Sequence, residues 1–80
     1  MDTPISPHAT LDLGEKGCGQ LVMEIMFAMR KLNPGQTLLV TAYDPAAAGD
    51  IAAWCRMTDN TLVQTFTYPS GKQFLLQKGL

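Results

Sequence analysis

The spacing of apolar positions switches between a helical and a strand period along the chain, and the switches divide it into elements. Residues 1–9, with Pro4, Pro7, Ser6 and His8 and no apolar period, are expected to form a mobile tail ahead of a single domain over 10–80. Thr10-Leu11-Asp12-Leu13 alternates briefly before a Gly14 to Gly17 loop and suits a short strand. From Cys18 the period becomes helical. Leu21, Ile25, Ala28, Met29 and Leu32 form a stripe that Val22 and Met26 widen. Arg30 and Lys31 complement the dipole of the last turn, and Asn33-Pro34-Gly35 ends the helix. Gln36 to Tyr43 is an apolar, β-forming run expected as a central strand buried on both faces.

Asp44-Pro45 breaks that run, with Asp44 as the expected helix cap and Pro45 at a first helical position. A second helix is expected over Ala46 to Met57, with Gly49-Asp50 a candidate interruption that Asp50 would cap afresh. Ile51, Trp54, Cys55 and Thr58 share one of its faces, and Thr58-Asp59-Asn60 closes it. Leu62 to Tyr68 alternates Leu62, Gln64, Phe66 and Tyr68 on one side with Val63, Thr65 and Thr67 on the other. A turn of Pro69-Ser70-Gly71-Lys72 then leads back through Gln73 to Lys78, which makes a hairpin. The order is β-α-β-α-β-β. It implies an α/β (α+β) two-layer sandwich, two helices packed on one face of a four-stranded mixed sheet, with the first two strands parallel through a right-handed crossover.

Composition narrows the partners. Eighty residues, 46% of them apolar and 16% charged, suffice for one core. A formal net charge of −1 lacks the surplus of Lys and Arg that nucleic acid or an anionic membrane surface requires, so neither is expected as a partner. No apolar run reaches the ~18–20 residues that span a bilayer, and Met1-Asp2-Thr3-Pro4 does not read as a signal peptide. A cytoplasmic location and free thiols are therefore expected. Cys18, Cys55 and the lone His8 do not supply four convergent ligands, so no metal is expected.

Cys18 is the candidate nucleophile. It lies between Gly17 and Gly19 at a strand-to-helix junction, where the first amides of a helix favour an anion and lower a thiol's pKa. Gly17, Gly19 and Gln20 supply amides for a small anion nest, and Lys16 adds positive charge. Asp12 is expected to order the loop by hydrogen bonds, and Asp44 to act as a cap rather than as half of an acid–base pair with Asp50. Met23 and Phe27, one turn apart on the helix face away from Leu21 and Ile25, either dock a partner protein beside the thiol or cover the sheet edge. Cys55 lies on an apolar helix face and reads as a small buried hydrophobe, with a resolving role toward Cys18 as the lesser alternative.

These residues resemble the TusA/SirA-like sulfurtransferases. The resemblance rests on Leu11-Asp12 with Cys18 six residues after the Asp, and on Pro34-Gly35 before Thr37-Leu38-Leu39-Val40. It rests also on Asp44-Pro45, Asp50-Ile51 and Trp54-Cys55, which match the pattern D-P-x(4)-D-I-x-x-[FW]-C, and on the terminal Leu-x-Lys-Gly. It covers about residues 10 to 79. It implies a sulfur-relay protein without a cofactor, in which Cys18 takes sulfane sulfur as a persulfide from a donor protein, a cysteine desulfurase or a rhodanese-like protein, and passes it to an acceptor protein. A monomer or weak dimer is expected. The departure is at the loop, where the family's C-P-x-P reads Cys18-Gly19-Gln20-Leu21 and Glu15 replaces a glycine. Gly19 gives up the preset φ of a proline and supplies one more amide donor. The alternative function is a non-catalytic binding or regulatory module of the same fold. RNA binding, suggested only by a fold shared with the C-terminal domain of a bacterial translation initiation factor, ranks third.

Overall fold

The structure, a computed structural model, describes residues 7–79, the side chain of Cys18 excepted. Its elements are β1 (Ala9–Asp12), α1 (Cys18–Arg30), β2 (Thr37–Ala42), α2 (Ala47–Met57), β3 (Thr61–Tyr68) and β4 (Gly71–Gln77). The strands form one mixed sheet in the order β1-β2-β4-β3, with β1 parallel to β2 and the other neighbours antiparallel. This is the two-layer α+β sandwich that the element order implies.

The core lies between the helices and one sheet face. Leu38, Val40 and Ala42 of β2 and Phe74 and Leu76 of β4 meet Leu21, Ile25 and Met29 of α1 and Ala47, Ile51 and Cys55 of α2. β2 is not buried on both faces as its unbroken apolar run suggested. Its even positions are buried, whereas Thr37, Leu39 and Thr41 are only half-buried on the face that no helix covers. A two-layer fold covers one face of a sheet, so a central strand here alternates despite its composition.

Three local details depart from the pattern reading. A β-bulge lies between Leu62 and Gln64, so Leu62 pairs with buried Leu76 while Phe66 pairs with Gln73 on the open face. The extra residue, Val63, breaks the strict alternation that placed Leu62 and Phe66 on one side. The hairpin turn is shorter than expected: Tyr68 pairs with Gly71, leaving Pro69-Ser70 as the loop and Lys72 inside β4. Asp44 and Asp50 do not cap α2 by their side chains, since Ala46 is the N-cap residue and carries no side-chain bond. Asp44 instead accepts the Ala46 amide at 2.9 Å in a turn just ahead of the helix, and Asp50 continues the helix through its own amide bond to the Ala46 carbonyl.

Residues 1–6 of the expected tail lie outside the described residues. At its inner end Ala9 already pairs with Leu38, and exposed His8 is tied to β2. The His8 amide donates to the Thr37 carbonyl at 3.0 Å, and His8 Nδ1 accepts the Thr37 amide at 3.1 Å. An amide can only donate, so the ring proton resides on Nε2.

Candidate active site

The strand directions put both helix starts at one end of the molecule. β1 and β2 are parallel and each is followed by a helix that returns across the sheet, so α1 and α2 both begin where those strands finish. The loop entering α1 is fixed from β1. Leu13 is buried, its amide donates to the Thr41 carbonyl at 2.8 Å, and its carbonyl accepts the Lys16 amide at 3.1 Å. Asp12 Oδ1 accepts the Gly14 amide at 2.9 Å, and Gly14 turns the chain with φ of 57°. That left-handed conformation is open to glycine without strain.

Gly17 is the N-cap residue of α1 and carries no side-chain cap, and Cys18 is the first helical residue. The first bond of the helix runs from the Leu21 amide to the Gly17 carbonyl at 2.7 Å. The amides of residues 18 to 20 precede it and have no helical acceptor, so they are free to face an anion. Gly17, Gly19 and Gln20 are exposed and Lys16 is half-buried. On the α2 side, Asp44 Oδ2 lies 3.6 Å from the position that a Cβ on Gly17 would take. The structure thus brings together the Asp12 turn, the start of α1 and the Asp44 turn.

The glycine after the cysteine has a structural consequence. A proline at position 19 would push Cys18 out of the helical region, because the residue before proline is forced toward extended backbone. With Gly19, α1 begins at the cysteine itself. Leu21, two residues further on, is fully buried, and its amide makes the first helical bond.

Met23 and Phe27 are about half exposed, at 51% and 47%, and continue the exposed line of α1 from Gln20 toward Arg30. The Arg30 guanidinium carbon lies 5.8 Å from the Phe27 ring centroid, a cation–π approach that keeps one side of the ring occupied. Cys55 is a free thiol buried in the core, and burial pushes its pKa up, which leaves it protonated and inert. It also lies ~12 Å of helix rise beyond Ala47, away from the end where α1 starts.

Asp50 is the residue whose environment was least visible in the sequence. Among the described residues its Oδ2 is buried without a hydrogen-bond partner, in the first turn of α2. Among the described residues no three His, Cys, Asp or Glu side chains converge on a point where a metal would bind. No helix among them is long and apolar enough to cross a membrane.

The family model described as sulfurtransferase TusA matches residues 9–78. The chain belongs to the TusA family. The match runs from the first residue of β1 to the lysine after β4, so it takes in the Asp12 turn, Cys18, the Asp44 turn and the whole sheet. TusA proteins are sulfur carriers, and membership gives this chain that role in its general form. The TusA fold here presents the cysteine at the first position of a helix, beside the start of the other.

Proposed function

We propose that the protein carries sulfane sulfur as a persulfide on Cys18, receiving it from a donor protein and delivering it to an acceptor protein. The observation that carries this reading is the backbone position of Cys18, the first residue of α1 in a TusA-family chain, among amides without helical acceptors. Partial positive charge at a helix start stabilises a thiolate and, after loading, the terminal sulfur of a persulfide anion. Gly17, Gly19 and Gln20 supply the amides, Lys16 adds charge, and Asp12 and Asp44 hold the two turns in place.

The transfer needs no redox partner. The Cys18 thiolate attacks the outer sulfur of a donor hydropersulfide, R–S–SH, and the bond between Cys18 Sγ and that sulfur forms as the donor S–S bond breaks. The electron pair leaves with R–S⁻, and the product is Cys18–S–SH. Delivery repeats the exchange with Cys18 as the leaving thiolate. The exposed Met23 and Phe27 side chains, on the line of α1 that runs from Gln20 toward Arg30, suit contact with a partner protein, and adaptable Met with an aromatic ring is a composition found at such surfaces.

Intact-mass measurement after incubation with a sulfane-sulfur donor tests the reading, with Cys18→Ser and Cys55→Ser as controls. One added sulfur is expected on the parent and on Cys55→Ser, and none on Cys18→Ser. No adduct with any donor, or an adduct on Cys55 alone, would leave a non-catalytic binding module of this fold as the better account.

A further inference from the structure

A cleft of about 270 Å³ lies between the β2–α2 turn and the tip of the β3–β4 hairpin, walled by Tyr43, Asp44, Pro45, Tyr68, Ser70 and Lys72. Asp44 is common to the cleft and the start of α1, since its Oδ2 lies against Gly17 while the residue lines the cleft. From the cleft to the cysteine is therefore a step of one carboxylate and one residue.

The walls are built rather than incidental. The Tyr43 ring lies so close over Gly71 that a Cβ there would meet Tyr43 Cδ1 at 2.6 Å, so only glycine lets the ring seat in this position. Gly71 also has φ of 156°, in the range that other residues rarely adopt. Tyr43 and Tyr68 remain exposed, at 42% and 50%. Lys72 reaches the cleft because it stands opposite Ala42 in the β2–β4 register, two positions before Asp44.

Asp44 and Lys72, of opposite charge, thus line the cleft together with two tyrosines, and Asp44 is held there by the Ala46 amide on its Oδ1. Its volume lies just below the usual range of small-molecule pockets and suits a compound of about amino-acid size. Opposite charges on its walls complement a zwitterion. We propose that the cleft binds a small zwitterionic thiol of the cysteine type and presents its hydropersulfide to Cys18. Lys72 takes the α-carboxylate, Asp44 takes the α-ammonium, and the sulfur-bearing arm passes Asp44 toward Gly17 and Cys18. This inference rests on the carrier reading above and adds a low-molecular-weight donor beside the donor protein named there. The sulfur transfer is the exchange already written, with R–S⁻ now the free amino-acid thiolate.

The test uses the full chain and two readouts. S-methyl-L-cysteine, a zwitterion that cannot exchange sulfur, is titrated into isotope-labelled protein while amide resonances are followed. The expected shifts are saturable and centred on Tyr43, Gly71, Lys72 and Gly17. Analogues lacking the amine (3-(methylthio)propionate) or the carboxylate (2-(methylthio)ethylamine) should bind more weakly. Lys72→Met removes a charge-assisted bond, so it should weaken S-methyl-L-cysteine about tenfold or more. It should also lower the ratio of Cys18 loading from cysteine hydropersulfide to loading from inorganic polysulfide by about tenfold, from the same lost contact. Shifts at the opposite end of the sheet, equal binding of the single-charge analogues, or an unchanged ratio in Lys72→Met would overturn the cleft proposal. Failure of the carrier reading looks different: no sulfur reaches Cys18 from either donor, whatever S-methyl-L-cysteine binds.

Discussion

At the scale of single residues, the two positions flanking the helix start respond to substitution in opposite ways. Gly19 lies in α1, has ordinary helical backbone and has open space where a Cβ would go. Gly19→Ala should therefore stabilise the protein by about 0.5–1 kcal/mol, because alanine gives up less conformational freedom on folding. Gly14→Ala should destabilise it, since the φ of 57° disfavours a side chain. Urea titrations of both variants check the signs. Equal loss from both would show that Gly19 has a structural demand the helix does not reveal. Cys55 has its own signature. Burial raises its pKa, so below the ordinary thiol value of ~8.5 it is protonated in both the folded and unfolded chain and changes nothing. As pH rises past that value the unfolded thiol ionises first, and the stability from keeping the thiol neutral is lost toward the raised folded pKa. Melting temperature should fall above about pH 8.5 more steeply for the parent than for Cys55→Ala, checked by melts across that range. The character of Cys55 was readable from its place on an apolar helix face. The unpartnered Oδ2 of Asp50 was not, because it depends on how α2 beds against its neighbours.

At the scale of elements, period and punctuation specify α1, α2 and all the strands to within a residue or two, while the faces of β3 escape them. TLVQTFTY reads as continuous alternation, and nothing in the composition marks Val63 as the extra residue. The bulge is set by its neighbours: Leu62 reaches Leu76 in the core, and Gln64 then pairs with Leu75 on the open face. Val63 is 47% exposed on a strand at the sheet edge that carries no charge. Such an edge invites pairing with other chains, and a bulge is one of the devices that discourages it. Deleting Val63 should leave every other β3 side chain on its present face and cost little stability. Deleting Thr65 instead moves the register by one and should cost far more, since a one-residue slip exchanges the faces of the strand residues beyond it. The deletion of Val63 should also raise light scattering on concentration, because the smoothed edge is left free. Melts and scattering on the two deletions decide the matter, and comparable melting temperatures would mean that the bulge does not set the faces.

At the scale of the whole molecule, the parallel run of α1 and α2 gives the protein two unlike ends. Helix starts, free amides, Cys18 and the cleft beside Asp44 occupy one end. The helix carbonyl ends occupy the other, and cations and the terminal Lys-Gly gather there as the macrodipole favours. Lys78 Nζ donates to the Leu32 carbonyl at 2.7 Å, the Lys78 amide to the Gln36 carbonyl at 2.9 Å, and the Gly79 amide to Asn60 Oδ1 at 2.9 Å. A cavity of about 220 Å³ at this end, lined by Met26, Met29, Arg30, Trp54 and Lys78 among others, lies between the two helices. The Lys-Gly pair that helps to mark the family in the sequence is thus part of the clasp that closes the far end, away from the start of α1. From the sequence alone the two kinds of marker look equivalent, because spacing does not show which end of the sheet a residue reaches. Separation of the ends makes a prediction. Lys78→Met removes a charged, partly buried hydrogen bond and should lower stability by about 1–2 kcal/mol, measured by urea denaturation. Sulfur loading of Cys18, followed by intact mass well below the melting temperature, should proceed at the parent rate, because Lys78 bonds to Leu32 and Gln36 past the end of α1 opposite Cys18. Slower loading with unchanged stability would instead join the two ends through the helices and end the division of the molecule into a clasp and a site.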